Sequence, residues 1–253
     1  MSETFPRVAI VTGATSGFGQ ATVRKFISAG FGVIGSGRNQ SCLESMEKQS
    51  ETRFAGVAGD ASDERVIDRL FTTAADRFGQ PADIVVVNAG RGLGGSVKCA
   101  DLSELEAMIQ VNISAAVKLM QKAARNMEEG QKKRFPETAS DIVVIGSVVG
   151  RHVSEFSTVY GASKSAVHAL AEGLRRELSP SGIRVSLVEP GACLTGFQSN
   201  AGYSDDIIRT MTDQYGPLLD VNDIADTIHY IVSQPPHVHL CDVVVRPTRM
   251  NYP

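Results

Sequence analysis

Short hydrophobic runs recur along the chain, and each run is followed by a turn and then by a segment with helical periodicity. Most runs are continuous and rich in β-branched residues, which is typical of strands buried on both faces of a sheet. The pattern predicts seven strands, at residues 8–11, 32–35, 55–58, 84–87, 142–145, 185–188 and 243–245. Alternation with about six helices through right-handed crossovers predicts an α/β fold: a doubly wound, seven-stranded parallel sheet with helices on both faces.

Two helical segments have a clear hydrophobic face. In the first, Ser103 and Glu106 have the spacing of a capping box. Its hydrophobic stripe comprises Leu105, Met108, Ile109, Ile113, Ala116, Val117 and Met120. The last helix is predicted to begin near Asn222 and to end before Pro235. The stretch 128–140 is polar, and we expect a surface loop there.

The charge balance and the absence of long hydrophobic runs narrow the class of protein. Lys and Arg number 25 and Asp and Glu 28, which gives a net charge of −3. A net charge this close to zero gives no strong positive potential that would attract a phosphate backbone, so we expect no nucleic acid partner. No run approaches the roughly 20 apolar residues of a membrane helix, and no secretory signal is visible. We therefore expect a cytoplasmic protein without a membrane partner, with four reduced cysteines.

A glycine-rich turn at residues 12–19 follows the first predicted strand and precedes a helix. Glycines there let the backbone approach a pyrophosphate, and the helix N-terminus offers free N–H groups and partial positive charge. The spacing G-x3-G-x-G differs from the common G-x-G-x-x-G, and a turn without a ligand is the alternative. Its place between strand and helix favours a dinucleotide site. The candidate residues are Gly13, Thr15, Ser16, Gly17, Phe18 and Gly19.

Arg38 follows the second predicted strand, where the adenosine ribose of a dinucleotide would lie. An acidic residue there would accept from the 2′-hydroxyl, whereas a guanidinium can bind two oxygens of a 2′-phosphate. The turn has no acidic residue, so Arg38 favours NADP over NAD; a solvated surface arginine is the alternative. Turns after other strands add candidate cofactor residues or serve only as turns: Asp60, Ala61, Asn88, Ala89, Gly90, Pro190, Gly191 and Thr195.

Ser147, Tyr160 and Lys164 form the sharpest constellation. Ser147 ends the fifth predicted strand, and Tyr160 and Lys164 are four residues apart on one face of the next helix. A phenol with a pKa of about 10 is a poor acid–base at neutral pH. A neighbouring ammonium favours the phenolate and would lower that pKa. Ser147 could then donate to a developing alkoxide, and Asn112 could anchor a water relay to Lys164.

The chain resembles the short-chain dehydrogenase/reductase family along essentially its whole length. The matching positions are 12–19, Asp60, Asn88, Ala89, Gly90, Asn112, Ser147, Tyr160, Lys164, Pro190, Gly191 and Thr195. In that family such positions bind a nicotinamide dinucleotide and form an Asn-Ser-Tyr-Lys tetrad. The resemblance therefore implies a single Rossmann-type domain over 1–253 and catalytic roles for Asn112, Ser147, Tyr160 and Lys164. It also implies that Tyr160 and Lys164 contact the cofactor, and that the chain forms a homotetramer or homodimer.

Two positions depart from the family pattern. Val87 replaces a further Asn that many members carry before Asn-Ala-Gly. Ser16 lies where many NADP-preferring relatives carry a second basic residue, so that Arg38 would hold the 2′-phosphate largely alone. Within the domain we expect a cofactor half at about 1–150 and a catalytic and substrate half at about 140–253.

The predicted activity is NADP(H)-dependent interconversion of a small secondary alcohol and its carbonyl, with Tyr160 as general acid–base. The expected substrate wall comprises residues 91–97 and 148–156 and a lid at about 192–217. Cations along this wall could pair with a carboxylate and favour a 3-hydroxy or 3-oxo acid: Arg91, Arg151 and His152. The tail, at 233–239 and 245–248, looks similar to the branch that oxidises 3-hydroxy acids and serine-like amino acids.

Two alternatives to the predicted activity stay open, and other classes of protein fit the sequence less well. A general carbonyl or 3-ketoacyl reductase fits the same residues, and a regulator that binds the dinucleotide without turnover is the non-enzyme alternative. Epimerases and dehydratases among longer relatives usually carry an added substrate domain. The segment 146–150 does not meet the hydrolase pattern G-x-S-x-G. His237 and His239 have no third ligand nearby in sequence, so we expect no metal site.

Overall fold

The computed structural model describes residues 5–50, 52–196 and 204–252, and its strands form one seven-stranded sheet. The strands are β1 (Val8–Thr12), β2 (Gly32–Gly37), β3 (Phe54–Ala58), β4 (Ile84–Val87), β5 (Ser140–Ile145), β6 (Ile183–Pro190) and β7 (Asp242–Val245). Their order is β3-β2-β1-β4-β5-β6-β7, and every pairing is parallel. The predicted strands and the doubly wound parallel fold are confirmed.

Helices cover both faces of the sheet. They are α1 (Gly17–Ser28), α2 (Gln40–Ser50), α3 (Glu64–Phe78), α4 (Leu105–Ile109), α5 (Ala116–Lys132), α6 (Val148–Arg151), α7 (Thr158–Leu178), α8 (Asp205–Tyr215) and α9 (Val221–Val232). Strand β1 shows how the two layers arise, because its side chains alternate between them. Ile10 packs in the core beneath α3, α5 and α7, whereas Val11 packs in the core beneath α1 and α9. Among the described residues, no helix combines the length and the apolar character needed to cross a membrane.

The segment before α5 differs from the prediction at its start. The helix does not begin with a capping box at Ser103. Instead, a 3₁₀ turn at Leu102–Glu104 precedes α4, and the carboxylate of Asp101 accepts from the backbone N–H of Ser103 at 3.0 Å. Asp is as good a cap as Ser, and this one lies two residues earlier. A π-helical segment, Gln110–Ala115, then joins α4 to α5.

The polar stretch 128–140 is only partly a loop, and the loop is therefore shorter than predicted. Helix α5 continues to Lys132 and strand β5 begins at Ser140. Lys132 pairs with Glu128 one turn earlier at 2.7 Å, which stabilises an exposed helix end without hydrophobic residues. The amide of Gln131 is buried and bonds both Thr138 and Ser140, so this polar side chain belongs to the interior.

The last helix agrees with its prediction. Helix α9 spans Val221–Val232, and Ser233 follows it shortly before the two prolines. Asp220 and Asp223 form a capping box, since each carboxylate accepts from a backbone N–H at the helix start. The sequence signal was present as Asp-x-x-Asp, a variant of the usual Ser/Thr-x-x-Glu pattern.

Candidate active site

The predicted site residues lie on the turns that leave the carboxyl ends of β1 to β6, on α7 and, for Asn112, on the π-helical segment. Parallel strands end at the same edge of a sheet, so these turns meet there. The structure therefore brings the predicted cofactor and catalytic residues to one edge. The predicted lid is described only at 192–196 and 204–217, and its remaining part, 197–203, lies outside the described residues.

The turn after β1 is bonded to the turn after β4. The Oγ1 of Thr12 accepts from the backbone N–H groups of Asn88 and Ala89, both at 3.1 Å. The side-chain amide of Asn88 donates to the carbonyl of Thr12 at 2.8 Å. Asn88 and Ala89 are predicted from the sequence as cofactor residues, whereas Thr12 has no separate predicted role. A threonine at the end of a strand, just before the first glycine, was the available signal.

The glycines of the first turn are required by close backbone approach. Gly13 has a φ of +68°, and a Cβ there would lie 2.8 Å from the amide nitrogen of Asn88. A Cβ on Gly19 would lie 2.2 Å from the carbonyl oxygen of Gly13. Gly17 has a φ of +50° and faces Thr195, whose Cβ is 4.0 Å from the Cβ that Gly17 lacks. The turn is therefore a cradle of bare backbone.

The N-terminus of α1 is open to an anion. Ser16 is the N-cap residue, but its side chain makes no capping hydrogen bond, and the first turn contains no acidic residue. Free N–H groups and the helix dipole would thus act on an incoming phosphate group. Phe18 is partly buried and packs into the core beside this turn. These features fit the pyrophosphate of a dinucleotide.

The turns after β2 and β3 place one cation and one carboxylate where the adenosine of a dinucleotide is expected. Arg38 is exposed at the end of β2. Asp60 is also exposed, and hydrogen bonds from Ser62 hold the pKa of its carboxyl below the ordinary value, with a smaller effect from the charge of Arg38. Thr15 packs against Gly37, and a Cβ on Gly37 would lie 2.8 Å from the hydroxyl oxygen of Thr15. Ala61 follows Asp60 and is half-buried.

Tyr160 and Lys164 lie together on α7. The ammonium nitrogen of Lys164 is 5.9 Å from the centroid of the Tyr160 ring. It also donates to the carbonyl oxygen of Ile145 at 2.8 Å. Burial lowers the pKa of Lys164 to about 8, because a low-dielectric surrounding disfavours the charged form. Leu93 packs against Tyr160 from the segment after β4.

Asn112 is buried in the π-helical segment, and its side chain is fully bonded. Its Oδ1 accepts from the backbone N–H of Arg91 at 2.7 Å. Its Nδ2 donates to the carbonyl of Arg91 at 2.9 Å and to the hydroxyl of Ser163 at 3.0 Å. Ser163 in turn donates to the carbonyl of Tyr160 at 2.7 Å. The Asn112 side chain thus joins the turn after Gly90 to α7, and its predicted water relay stays a prediction.

Ser147 is the N-cap residue of the four-residue helix α6. Its Oγ accepts from the backbone N–H of Val149 at 3.4 Å. Its backbone N–H donates to the Nε2 of His168 at 3.3 Å. His168 is not connected with Ser147 in the sequence analysis. Its position four residues after Lys164, on the same helix face, was the signal that could have found it.

Both arginines expected to contact a substrate carboxylate already bind carboxylates of the protein. Arg91 pairs with Glu104. Arg151 binds Glu189 through two nitrogens, with Nε donating to Oε2 at 3.0 Å and Nη2 donating to Oε1. His152 is exposed, and its carbonyl accepts from the hydroxyl of Tyr252. Neither arginine therefore offers an uncommitted charge to a substrate.

Hydrophobic side chains, by contrast, are exposed along the predicted substrate wall. They are Val97 at 70%, Val153 at 56%, Phe156 at 68% and Leu194 at 49%. The first two wall segments meet, because the backbone N–H of Gly95 donates to the carbonyl of Phe156 at 2.7 Å. The third is fixed at its base, where Cys193 forms a parallel bridge with Leu219.

The turn after β6 and the two histidines considered as metal ligands complete the set of candidates. The backbone N–H of Gly191 donates to the carbonyl of Val245 at 2.7 Å, which ties the Pro190–Gly191 turn to β7. The Nε2 of His239 lies 3.0 Å from the carbonyl oxygen of Val185, away from His237. In the part of the chain that the structure describes, no group of three or more His, Cys, Asp or Glu side chains could hold a metal ion.

Comparisons with known proteins agree with this geometry. A family model described as short chain dehydrogenase matches residues 7–205. Serine 3-dehydrogenase of Rhizobium radiobacter is 30% identical over 249 residues, which is 96% of this chain and 94% of that protein. The closed form of serine dehydrogenase complexed with NADP+ has a TM-score of 0.86 and 28% identity, with coverage of 97% of this chain and 96% of that chain.

A third similar protein is the 3-ketoacyl-(acyl-carrier-protein) reductase of Brucella melitensis complexed with NADH. It has a TM-score of 0.85 and 25% identity, and the match covers 97% of this chain and 98% of that chain. Since the two solved structures contain NADP+ and NADH and the glycine cradle fits such a group, a nicotinamide dinucleotide is the cofactor supported for this chain. The family match spans most of the chain, and the protein thus belongs to the short-chain dehydrogenase/reductase family, as a dehydrogenase acting on CH–OH donors.

Proposed function

We propose that the protein is an NADP(H)-dependent oxidoreductase that interconverts a secondary alcohol and its carbonyl, with Tyr160 as the general acid–base. The observation that carries this proposal is the position of the Lys164 ammonium, 5.9 Å from the centre of the Tyr160 ring. Ser147 and Asn112 lie on the elements that pack around this pair. A phenol beside a buried ammonium is suited to proton transfer at neutral pH.

The cofactor would be held by the residues at the carboxyl edge of the sheet. The glycine turn and the N-terminus of α1 would hold the pyrophosphate, Asp60 and Ala61 would lie at the adenine, and the turns at 88–90 and 190–191 with Thr195 would flank the nicotinamide half. A bound nicotinamide dinucleotide accepts or donates a hydride at the reacting carbon. Tyr160 and Lys164 would contact its ribose.

The side chains transfer one proton between the substrate oxygen and Tyr160. In oxidation, the phenolate of Tyr160 takes the proton of the substrate hydroxyl while the C–H bond electrons leave as the hydride. In reduction, the phenol of Tyr160 returns that proton to the developing alkoxide. Lys164 favours the phenolate through its charge, Ser147 donates a hydrogen bond to the carbonyl oxygen, and Asn112 supports proton exchange with solvent.

Arg38 supports a preference for NADP over NAD. It is an exposed guanidinium at the end of β2, and the turn that carries it, 37–40, contains no carboxylate that would select a ribose hydroxyl. A guanidinium can bind two oxygens of a 2′-phosphate. The complex of the similar serine dehydrogenase contains NADP+, whereas that of the similar ketoacyl reductase contains NADH.

For the substrate we propose a carbonyl compound whose group next to the carbonyl is uncharged. Arg91 and Arg151 already bind protein carboxylates, and the exposed side chains of the described substrate wall include Val97, Val153 and Phe156. A 3-hydroxy acid is the second candidate, because the similar protein of Rhizobium radiobacter is a serine 3-dehydrogenase. A reductase of 3-ketoacyl groups would satisfy the first proposal.

The deciding experiment compares kcat/KM for a 3-hydroxy acid with kcat/KM for its methyl ester, beside a series of methyl ketones of increasing chain length. We expect the ester and the longer ketones to be the better substrates, and Arg151→Ala to leave the ratio of acid to ester unchanged. A preference for the free acid that Arg151→Ala removes would establish the second candidate. No turnover of any compound, with tight dinucleotide binding, would instead support the regulator.

A further inference from the structure

A fully buried carboxylate lies beside the Ser147 turn without contacting the proposed catalytic residues. Glu189 is the next-to-last residue of β6, and it has no exposed surface. A buried carboxylate is costly unless it is paired. Arg151 at the end of α6 supplies that pairing through two hydrogen bonds. The pairing explains how the charge is tolerated, but it does not explain why a charge is placed there.

His168 is the second group that faces this carboxylate. It lies on α7, eight residues after Tyr160 and four after Lys164, on the same face of the helix. Its Nδ1 is 3.9 Å from the Oε2 of Glu189, and its Nε2 accepts the backbone N–H of Ser147. The imidazole therefore lies between the buried carboxylate and the proposed catalytic serine.

Two glycines make room for the imidazole. A Cβ on Gly146 would lie 2.4 Å from the Nε2 of His168, and a Cβ on Gly150 would lie 2.6 Å from its Cε1. These glycines flank the Ser147 turn on both sides. The ring is therefore seated in a notch of the backbone of this turn, and any side chain at either position would displace it.

The hydrogen bond with Ser147 requires one tautomer of the histidine. Because Nε2 accepts an N–H, it carries the lone pair, so that the proton of the neutral ring must be on Nδ1. Nδ1 is the nitrogen that faces Glu189. A negative charge at that side favours the tautomer with its proton on Nδ1. This preference explains why a carboxylate is buried at this position.

Helix α6 depends on these contacts because it is only four residues long. A helix this short is not stable through its own hydrogen bonds. His168 holds its start at Ser147, and Glu189 holds its end at Arg151. Ser165 adds a third contact, since its hydroxyl donates to the carbonyl of Gly150 at 2.6 Å. The position of the Ser147 backbone is thus set by groups on α7 and β6.

We propose that His168 is a positioning residue that holds Ser147 against the reacting carbonyl, and that Glu189 fixes the histidine tautomer this requires. The inference rests on the proposed function only for the role of Ser147. Loss of the acceptor at Nε2, by substitution or by protonation, would release the Ser147 turn.

Four charged groups act on His168 from the elements packed around it. Glu189 on β6 and Asp242 on β7 raise its pKa, whereas Lys164 on α7 and Arg151 on α6 lower it. Burial is the largest effect, and the pKa of His168 lies below its ordinary value. The neutral ring is therefore the form present at neutral pH, and its protonation should release the Ser147 turn at acid pH.

The test measures carbonyl reduction with the best substrate of the ketone and ester series at saturating cofactor. In this direction the protonated forms of Tyr160 and Lys164 are active, so neither causes a loss of rate at acid pH. We expect His168→Phe to lower kcat by about tenfold to a hundredfold, as a small misplacement of a reacting group does. We expect His168→Gln, whose amide oxygen can accept the same N–H, to restore most of the rate. His237→Gln, at an exposed histidine, is the matched control.

The pH profile distinguishes positioning from packing. The acid limb of the wild-type profile should be absent in His168→Gln, and Glu189→Gln should move it to lower pH, because that carboxylate raises the pKa of His168. Equal losses in the Phe and Gln variants, or an acid limb that neither substitution moves, would overturn the proposal.

A second measurement needs no turnover. In protein with ¹⁵N-labelled histidine, the His168 resonance should show a proton on Nδ1 at neutral pH, and Glu189→Gln should reduce the population of that tautomer. A proton on Nε2 in the wild type would contradict the proposed hydrogen bond. Inactivity toward every compound with the expected tautomer would refute the proposed function and leave the contact itself intact.

Discussion

The ammonium group of Lys164 donates a hydrogen bond of 2.8 Å to the carbonyl oxygen of Ile145, the last residue of β5. This bond ties α7 to the strand end that carries Gly146 and Ser147. It is made by a lysine that is only 6% exposed. The same burial that aims the ammonium at the Tyr160 ring also destabilises its charge. The site therefore holds a charged group at a cost in folding free energy.

Stability of the cofactor-free protein should consequently rise with pH above 8. The pKa of Lys164 is about 8 in the folded protein and about 10.4 in an unfolded chain. Between these values the unfolded state binds more protons, so the free energy of unfolding increases with pH, by roughly 3 kcal/mol across the whole window. Urea unfolding of the wild type and Lys164→Met at pH 7 to 9.5 measures the effect as a difference between the two proteins.

Lys164→Met should exceed the wild type in free energy of unfolding by the largest amount below pH 8, and this difference should shrink as the pH rises. Lys48→Met, at an exposed position, serves as the control and should show no such trend. A difference between Lys164→Met and wild type that stays constant with pH would contradict the lowered pKa.

Tyr160→Phe removes only the phenolic oxygen from the proposed acid–base. We expect kcat to fall by about 10²–10⁴-fold, the usual contribution of general acid–base catalysis. The protein should stay folded by circular dichroism and should still bind NADPH in a fluorescence titration. Tyr230→Phe removes the same atom from an exposed tyrosine on α9 and should leave kcat unaltered. Near-normal kcat in Tyr160→Phe would exclude Tyr160 from the mechanism.

Arg38→Asp should reverse the proposed cofactor preference. The wild type should use NADPH better than NADH, because a charge-assisted pair with the 2′-phosphate contributes about 1.5–3 kcal/mol, or roughly ten- to a hundredfold. The substitution removes that pair and supplies a carboxylate that can accept from the ribose hydroxyl. The measurement is kcat/KM for both cofactors, with Arg125→Asp on α5 as a control for net charge. Equal use of the two cofactors by the wild type would refute the preference.

The local pattern of the sequence predicted the strands and the Tyr160–Lys164 pair, because both are properties of neighbouring positions. Strand β5 is buried at every position and contains the β-branched run 142–145, and i, i+4 spacing places two residues on one helix face in any helix. The cap at Asp101 was missed because several acceptors precede that helix, and only the backbone decides which of them reaches an N–H group.

The expectation of free cations at the substrate wall illustrates what a sequence does not contain. Arg151 and Glu189 are 38 positions apart, and they meet only because β5 and β6 are adjacent in the sheet. His168 likewise reaches Ser147 across 21 positions. Hydrogen-bond partners of this kind depend on the order of the strands and on the space that glycines leave for a side chain. Neither feature appears as a periodic pattern in the sequence.

The chain should form a homotetramer or homodimer in solution, as its family resemblance implies. Helix α5 carries an exposed apolar side chain, Val117, close to the segment that contains Asn112. Val117→Glu should weaken association, because it places a charge in an apolar contact. Light scattering coupled to size-exclusion chromatography at micromolar concentration gives the mass, and Tyr230→Glu on α9 is the control. A monomeric mass for the wild type would contradict the prediction.

At the opposite edge of the sheet, Asp141 should be worth several kcal/mol of stability without any effect on the site. Its carboxylate is 1% exposed and accepts from Arg184 at 2.7 and 2.9 Å and from Arg7 at 2.7 Å. Arg184 is itself buried, and it also donates to backbone carbonyls of the segment that follows α9, including that of Val238. Asp141→Asn leaves this guanidinium without a counter-charge.

Breaking a buried ion pair from one side costs about 3–5 kcal/mol, because the remaining charge is uncompensated. Urea unfolding should therefore show a loss of that size in Asp141→Asn, and Arg184→Met added to it should recover part of the loss. Asp226→Asn, which breaks the exposed pair with Lys25, should cost less than about 1 kcal/mol. Since Asp141 lies at the amino end of β5 and Ser147 beyond its carboxyl end, kcat/KM per folded molecule should be unchanged. A loss as small as that of Asp226→Asn would show that the network contributes no more than a surface pair.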